Sequence, residues 1–137
     1  MPEYVIHRVG DALNDKAKAV RGSRILILGL AYKPDVDDER ESPSYVLMDL
    51  LANRGAEVNY YDPYVPTIGP TREHSQWAGK HSVEWNEKTI GRFDLVLIAT
   101  NHSTANYQEL GKWARCIVDT RNAMGSISQS KAKIWKA

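Results

Sequence analysis

Two cations, Lys33 and Arg40, lie in a polar segment that runs from Gly29 to the Ser42-Pro43 pair. Ser42 is a good N-cap and Pro43 suits the first helical position, so both cations are delivered to the start of a helix. Lysine and arginine beside unsatisfied helix N–H groups suit a diphosphate. The same segment carries Asp35, Asp37, Asp38, Glu39 and Glu41. On spacing alone, a solvated web of ion pairs fits it equally well. The G-x-G-x-x-G fingerprint that dinucleotide folds place after their first strand is absent, with only Gly29 remaining. The segment is therefore not expected to hold NAD in the usual way.

Other residues with chemical potential read more plainly. Cys116 sits in an apolar run with no activating partner nearby in sequence, which is the setting of a buried structural thiol. His74 and His81 share a loop with Glu73 and Glu84, but the spacing fits no zinc pattern, so no metal site is expected. Asp62, before Pro63, is placed where some dinucleotide folds read a ribose; without the glycine fingerprint it reads as a turn-forming residue. Asn101-His102-Ser103 follows an apolar run, where turn chemistry and a substrate-side role both fit. Trp77, Trp85 and Trp113 read as cover for the edge of a core. No catalytic residue is assigned within the chain.

The elements that must position these groups follow from periodicity. Val5, Val9, Ala12, Leu13 and Ala17 recur at helical spacing and predict a helix over residues 3–20, capped by Gly22. Residues 24–30 and the centre of 93–99 are continuous apolar runs of strand length, and 57–61 and 115–119 read as two further short strands. Continuous rather than alternating hydrophobicity marks strands covered on both faces, as in a parallel sheet. A helix with Val46, Leu47, Leu50 and Leu51 on its buried face follows Ser42, and a shorter one spans 107–114. Residues 64–82 read as a long surface loop, and the stretch from Ser126 onward as a frayed tail. The pattern is α/β: a three-layer, Rossmann-like, mostly parallel sheet preceded by an N-terminal helix. In such sheets ligands bind beyond the carboxyl ends of strands where strand order reverses, which points to segments 29–42, 62–66, 99–104 and 119–123.

Eighteen basic and 17 acidic side chains nearly cancel, without the basic excess expected of a nucleic-acid binder. No apolar run reaches the ~20 residues of a membrane span, and the first residues carry no apolar stretch of signal-peptide length. One cysteine cannot form an internal disulfide. A cytoplasmic protein is expected.

Four runs in order, AYKPDVDDERESPS, GAEVNYYDPYVP, FDLVLIATNHS and IVDTRNAM, resemble the C-terminal domain of the UDP-glucose/GDP-mannose dehydrogenase family over residues 22 to about 125. Residues 1–21, opening MPEYVIHRVGDALN, look like the end of that family's central helical domain, which contributes to dimers; residues 126–137 are left as a flexible tail. The resemblance implies an enzyme that oxidises the C6 alcohol of a UDP-sugar to a carboxylate in two hydride transfers, using NAD. It implies further that NAD is held by an N-terminal domain and that the catalytic cysteine and its partners lie outside the C-terminal domain. The isolated domain is then expected to be inactive. Carried over by position, Tyr32, Lys33 and Arg121 contact the UDP-sugar, and Arg40 reaches toward the NAD pyrophosphate across the domain cleft. Expected partners are the UDP-sugar, the N-terminal and central domains, and a second subunit in a homodimer. Details of AYKPDVDDERESPS and YYDPYVP look closer to the branch acting on UDP-N-acetylhexosamines. The alternative from another class is a free-standing nucleotide-binding or protein-interaction domain that kept the fold without a dehydrogenase role.

Overall fold

Continuous apolar runs are satisfied only where both faces of a sheet are covered, and the chain uses them that way. The computed structural model describes residues 2–30, 42–70, 75–127 and 130–137. Strands β1 (Arg24–Leu28), β2 (Glu57–Tyr61), β3 (Leu95–Ile98), β4 (Cys116–Asp119) and β5 (Lys133–Lys136) form one sheet in the order β2-β1-β3-β4-β5. Every pairing is parallel. The helices are α1 (Pro2–Asp15), α2 (Pro43–Asn53), the short α3 (Glu87–Ile90) and α4 (Tyr107–Trp113). Side chains alternate across the pleat. Ile25, Ile27, Leu95, Leu97, Cys116 and Val118 thus share a core with α1 and α2. Leu26, Leu28, Val96, Ile98 and Ile117 pack with α3 and α4 on the other face. The three-layer α/β expectation holds. Strand order reverses between β1 and β3, which places the crevice at their carboxyl ends.

The departures from the sequence reading have local causes. Helix α1 stops at Asp15 rather than running to residue 20. Its end is a Schellman turn: Lys18 N–H donates to Leu13 O and Ala17 N–H to Asn14 O, with Ala17 at φ 59°. Ala17 takes a position that usually falls to glycine, and Gly22 instead turns the chain into β1, donating to Gly55 O. The buried stripe of α1 is Ile6, Val9, Ala12 and Leu13, and it is covered by this same sheet. On α2, Tyr45, Leu47, Met48 and Leu51 point inward, and Val46 is exposed rather than buried. Ser42 caps α2 as expected, its hydroxyl accepting from Ser44 N–H at 3.2 Å.

The expected frayed tail is corrected by β5. Four residues, KIWK, are too few to show a period, so tertiary contacts specify the strand. It pairs along β4, and the Arg8 guanidinium lies 5.0 Å from the Trp135 ring centroid. Arg8 Nε donates to Lys136 O, and Lys133 pairs with Asp15 of α1 at 3.5 Å. Helix α1 and strand β5, the two ends of the chain, thereby clasp each other. The expected loop 64–82 is pinned where it is described, with Val65 and Ile68 buried and a bridge between Thr67 and His81. Trp85 packs between Tyr61 and Trp113 at the core edge with its ring tilted to both, a covering role as expected.

At the amino edge of the sheet, Asp94 ties β1 and β3 together. It accepts from Arg24 N–H and Lys18 Nζ, each at 2.8 Å, with Arg115 at 3.7 Å. Partial burial pushes its pKa up, but the Arg24 hydrogen bond, the Lys18 pair and the Arg115 charge outweigh it and hold the carboxyl below the usual range. A lowered folded pKa means that this stabilisation is present above about pH 4 and is lost as the pH falls further. Asp94→Asn should cost about 1–2 kcal/mol at pH 7. Urea melts at pH 7 and pH 3 check this: the gap between wild type and variant should shrink at the lower pH.

Candidate functional site

The carboxyl edge of the sheet gathers Gly29, Leu30 and Ser42 with the segments 62–66, 99–104 and 119–123. Gly29, directly after β1, has φ +93° and lies against the end of β3. Its N–H donates to Tyr61 O, and its carbonyl accepts from Ser44 Oγ at 2.9 Å. The second bond joins the start of the connection after β1 to the first turn of α2. Tyr32, Lys33 and Arg40, within that connection, lie outside the described residues, as does His74.

Arg121 is described, and its setting is built in detail. Asp119, the last residue of β4, is buried, and its carboxylate organises the following loop. It accepts from Arg121 N–H at 3.0 Å, Ala123 N–H at 3.1 Å and Met124 N–H at 2.9 Å. Asn122, at φ 56°, takes the left-handed turn that lets the chain wrap the carboxylate. Arg121 Nε–H then donates to Ala99 O, at the end of β3, at 2.9 Å. Among the described residues its two Nη groups bind no acceptor, so the guanidinium keeps donors for an anion. A cavity of about 290 Å³ opens here, with Tyr4, Pro43, Ser44, Thr100, Thr120 and Arg121 in its wall. Most of the wall is apolar, with Pro2, Val5, Leu47 and Ala99 in it; the Arg121 guanidinium beside the amino end of an 11-residue helix is the part that suits a phosphate ester.

Behind this surface lies a pair whose connection was not legible in the sequence. Asp62 is fully buried at the end of β2, and His102, 2% exposed, lies beyond β3. His102 Nε2 and Asp62 Oδ2 are 2.8 Å apart. The same oxygen accepts from Leu30 N–H at 2.7 Å, and Oδ1 accepts from Tyr64 N–H at 2.8 Å. The turn role expected of Asp62 is the Tyr64 bond; the link to His102 is additional. The only available signal was position, because both residues follow predicted strands at the carboxyl edge.

The remaining candidates are structural. Cys116 is buried in β4, and burial pushes its thiol pKa up despite the nearby Lys16, so it is a poor nucleophile. His81 Nδ1 lies 2.9 Å from Thr67 Oγ1.

Comparison with known proteins identifies the family. Residues 26–126 match the UDP-binding domain of the UDP-glucose/GDP-mannose dehydrogenase family. A UDP-N-acetyl-D-mannosamine dehydrogenase of Pyrococcus horikoshii is 32% identical over 127 residues, which are 89% of this chain and 27% of that protein. The UDP-glucose 6-dehydrogenase YwqF of Bacillus subtilis is 34% identical over 123 residues, 83% of this chain and 26% of its own. The chain thus spans about a quarter of these relatives' length. The solved structure of the Pyrococcus horikoshii UDP-D-ManNAc dehydrogenase superposes with a TM-score of 0.75 at 26% identity, over 98% of this chain and 30% of that one. The chain belongs to the UDP-glucose/GDP-mannose dehydrogenase family and carries its UDP-binding domain.

Proposed function

We propose that this chain is the nucleotide-sugar-binding module of a cytoplasmic, NAD-dependent UDP-sugar 6-dehydrogenase, acting on a UDP-N-acetylhexosamine. The observation that carries the reading is Arg121, fixed by Asp119 and Ala99 O in the wall of the crevice, inside the stretch that matches the family. Tyr32, Lys33 and Arg121 hold the UDP-sugar, the latter two through the diphosphate. Arg40 serves the NAD pyrophosphate from across a cleft completed by the N-terminal and central domains, and the whole protein is a homodimer. Several relatives named for UDP-N-acetyl-D-mannosamine support the choice of sugar.

The residues present do not fit NAD as a ligand of this chain alone. The connection from β1 to α2 holds a single glycine, Gly29, where a tight glycine-rich turn would let the pyrophosphate approach the backbone. No hydride step is therefore assigned to the chain. It binds and orients the nucleotide, which leaves the C6 alcohol to groups outside it. NADH formation from any UDP-sugar by this chain alone would refute that division.

Calorimetric and NMR titration with UDP, GDP and NAD tests the reading. UDP should bind most tightly and shift resonances around Arg121, Thr120 and Ser44. NAD binding tighter than UDP, or UDP shifts confined to the amino edge around Asp94, would overturn it.

A further inference from the structure

The buried pair Asp62–His102 does more than close a turn. A single carboxylate oxygen, Asp62 Oδ2, receives Leu30 N–H at 2.7 Å and faces His102 Nε2 at 2.8 Å. A carboxylate only accepts, so Nε2 carries the bonded proton. Leu30 is the last described residue before the connection that holds Lys33. His102 is itself fixed: its carbonyl accepts from Tyr107 Oη at 3.0 Å, and its ring lies 4.8 Å from that of Tyr64. Three residues before it, Ala99 O holds Arg121 Nε–H. A continuous path therefore runs from Leu30 through Asp62 and His102 to the 99–102 backbone and on to Arg121. Its two ends are Leu30, just past the end of β1, and Arg121, in the loop after β4.

We propose that Asp62 and His102 are positioning residues, forming a buried bridge that fixes Leu30, just past the end of β1, relative to the backbone that holds Arg121, and so sets the strength of diphosphate binding at Arg121. The bridge rests on the nucleotide-sugar reading for its ligand but not for its geometry. Neither side chain need touch the nucleotide. Their burial at 0% and 2% exposure keeps water from competing for the shared oxygen, so a change at one end is transmitted rather than absorbed by solvent. Asp94 provides a matched control, because it also joins β1 to β3 with a carboxylate but does so at the opposite edge of the sheet.

The test uses the chain as it stands, with UDP as the probe. His102→Ala and Asp62→Asn should weaken UDP by roughly five- to tenfold at temperatures where each variant is fully folded. His102→Gln, whose amide can still donate to Asp62, should recover part of the loss. In a double-mutant cycle, His102→Ala combined with Arg121→Ala should cost less than the product of the single effects. Asp94→Asn should lower the melting temperature and leave UDP affinity unchanged. Without ligand, His102→Ala should move both the Leu30 amide and the Arg121 Nε–H resonances. If Asp62→Asn does not fold, His102→Ala and His102→Gln carry the test alone. The proposal fails if His102→Ala leaves UDP affinity intact, if its effect multiplies cleanly with that of Arg121→Ala, or if Asp94→Asn weakens UDP as much. Should the wild type not bind UDP, the functional reading falls; the ligand-free Leu30 and Arg121 signals then decide the bridge on their own.

Discussion

Replacing Gly29 with alanine should cost about 3 kcal/mol or more. Two independent effects add at this position. The backbone has φ +93°, a region that L side chains rarely adopt. A Cβ there would also stand 2.4 Å from Thr100 O and 2.6 Å from Thr100 Cβ. Neither neighbour can retreat, because Thr100 N–H is bonded to Leu28 O at 3.2 Å and Ala99 N–H to the same carbonyl at 2.9 Å. The close approach of β1 and β3 at the crevice thus requires a glycine for reasons of space, with no phosphate involved. Urea denaturation reads the effect as a drop in midpoint at unchanged slope. A loss under about 1 kcal/mol would show that the two strand ends can separate, and that the crevice is looser than its hydrogen bonds indicate.

Gly22 and Gly29 show what single residues can and cannot tell a reader of the sequence. Gly29 stood out because it follows a strand in a polar connection, and the structure gives it a position only glycine fills. Gly22 looked like a helix cap, yet the helix ends earlier on Ala17. Strands β1, β3 and β4 were legible because a strand covered on both faces carries an apolar run, and β2 from the short EVNYY stretch that Asp62-Pro63 closes. Strand β5 was not, since Lys133 and Lys136 flank only two apolar residues and its partners are Arg8 and β4. At the site, Arg121 could be placed from its position after a strand. The carboxylate–imidazole contact of Asp62 with His102 joins residues 40 apart in sequence. No periodicity encodes such a pairing. It follows only from the strand order, which brings β2 and β3 to either side of β1.

Lys33→Ala and Arg121→Ala should each weaken UDP by roughly ten- to hundredfold, and Arg40→Ala should weaken it less. The diphosphate needs cationic donors at the carboxyl edge, and a charge-assisted hydrogen bond contributes about 1.5–3 kcal/mol. At 1.4 kcal/mol per factor of ten, one lost contact gives the stated range. Arg121 is prepared for this role, since its Nε–H is already bonded to Ala99 O and its loop is held by Asp119, so little rotamer freedom remains to be lost on binding. Arg121→Lys should recover only part of the affinity. An ammonium cannot bond Ala99 O through Nε and still offer a planar fork to the phosphates. Arg40 differs because its proposed partner is the pyrophosphate of NAD rather than the diphosphate of the UDP-sugar. On the proposed reading, in which other domains complete the cleft, absolute affinity of this module for UDP is expected to be weak, in the millimolar range. The ranking is therefore the informative quantity, measured by NMR titration of wild type and variants at one low salt concentration to keep screening constant. If Arg40→Ala is the most damaging, or if Arg121→Ala leaves the titration unchanged, the diphosphate does not sit between the loops after β1 and β4.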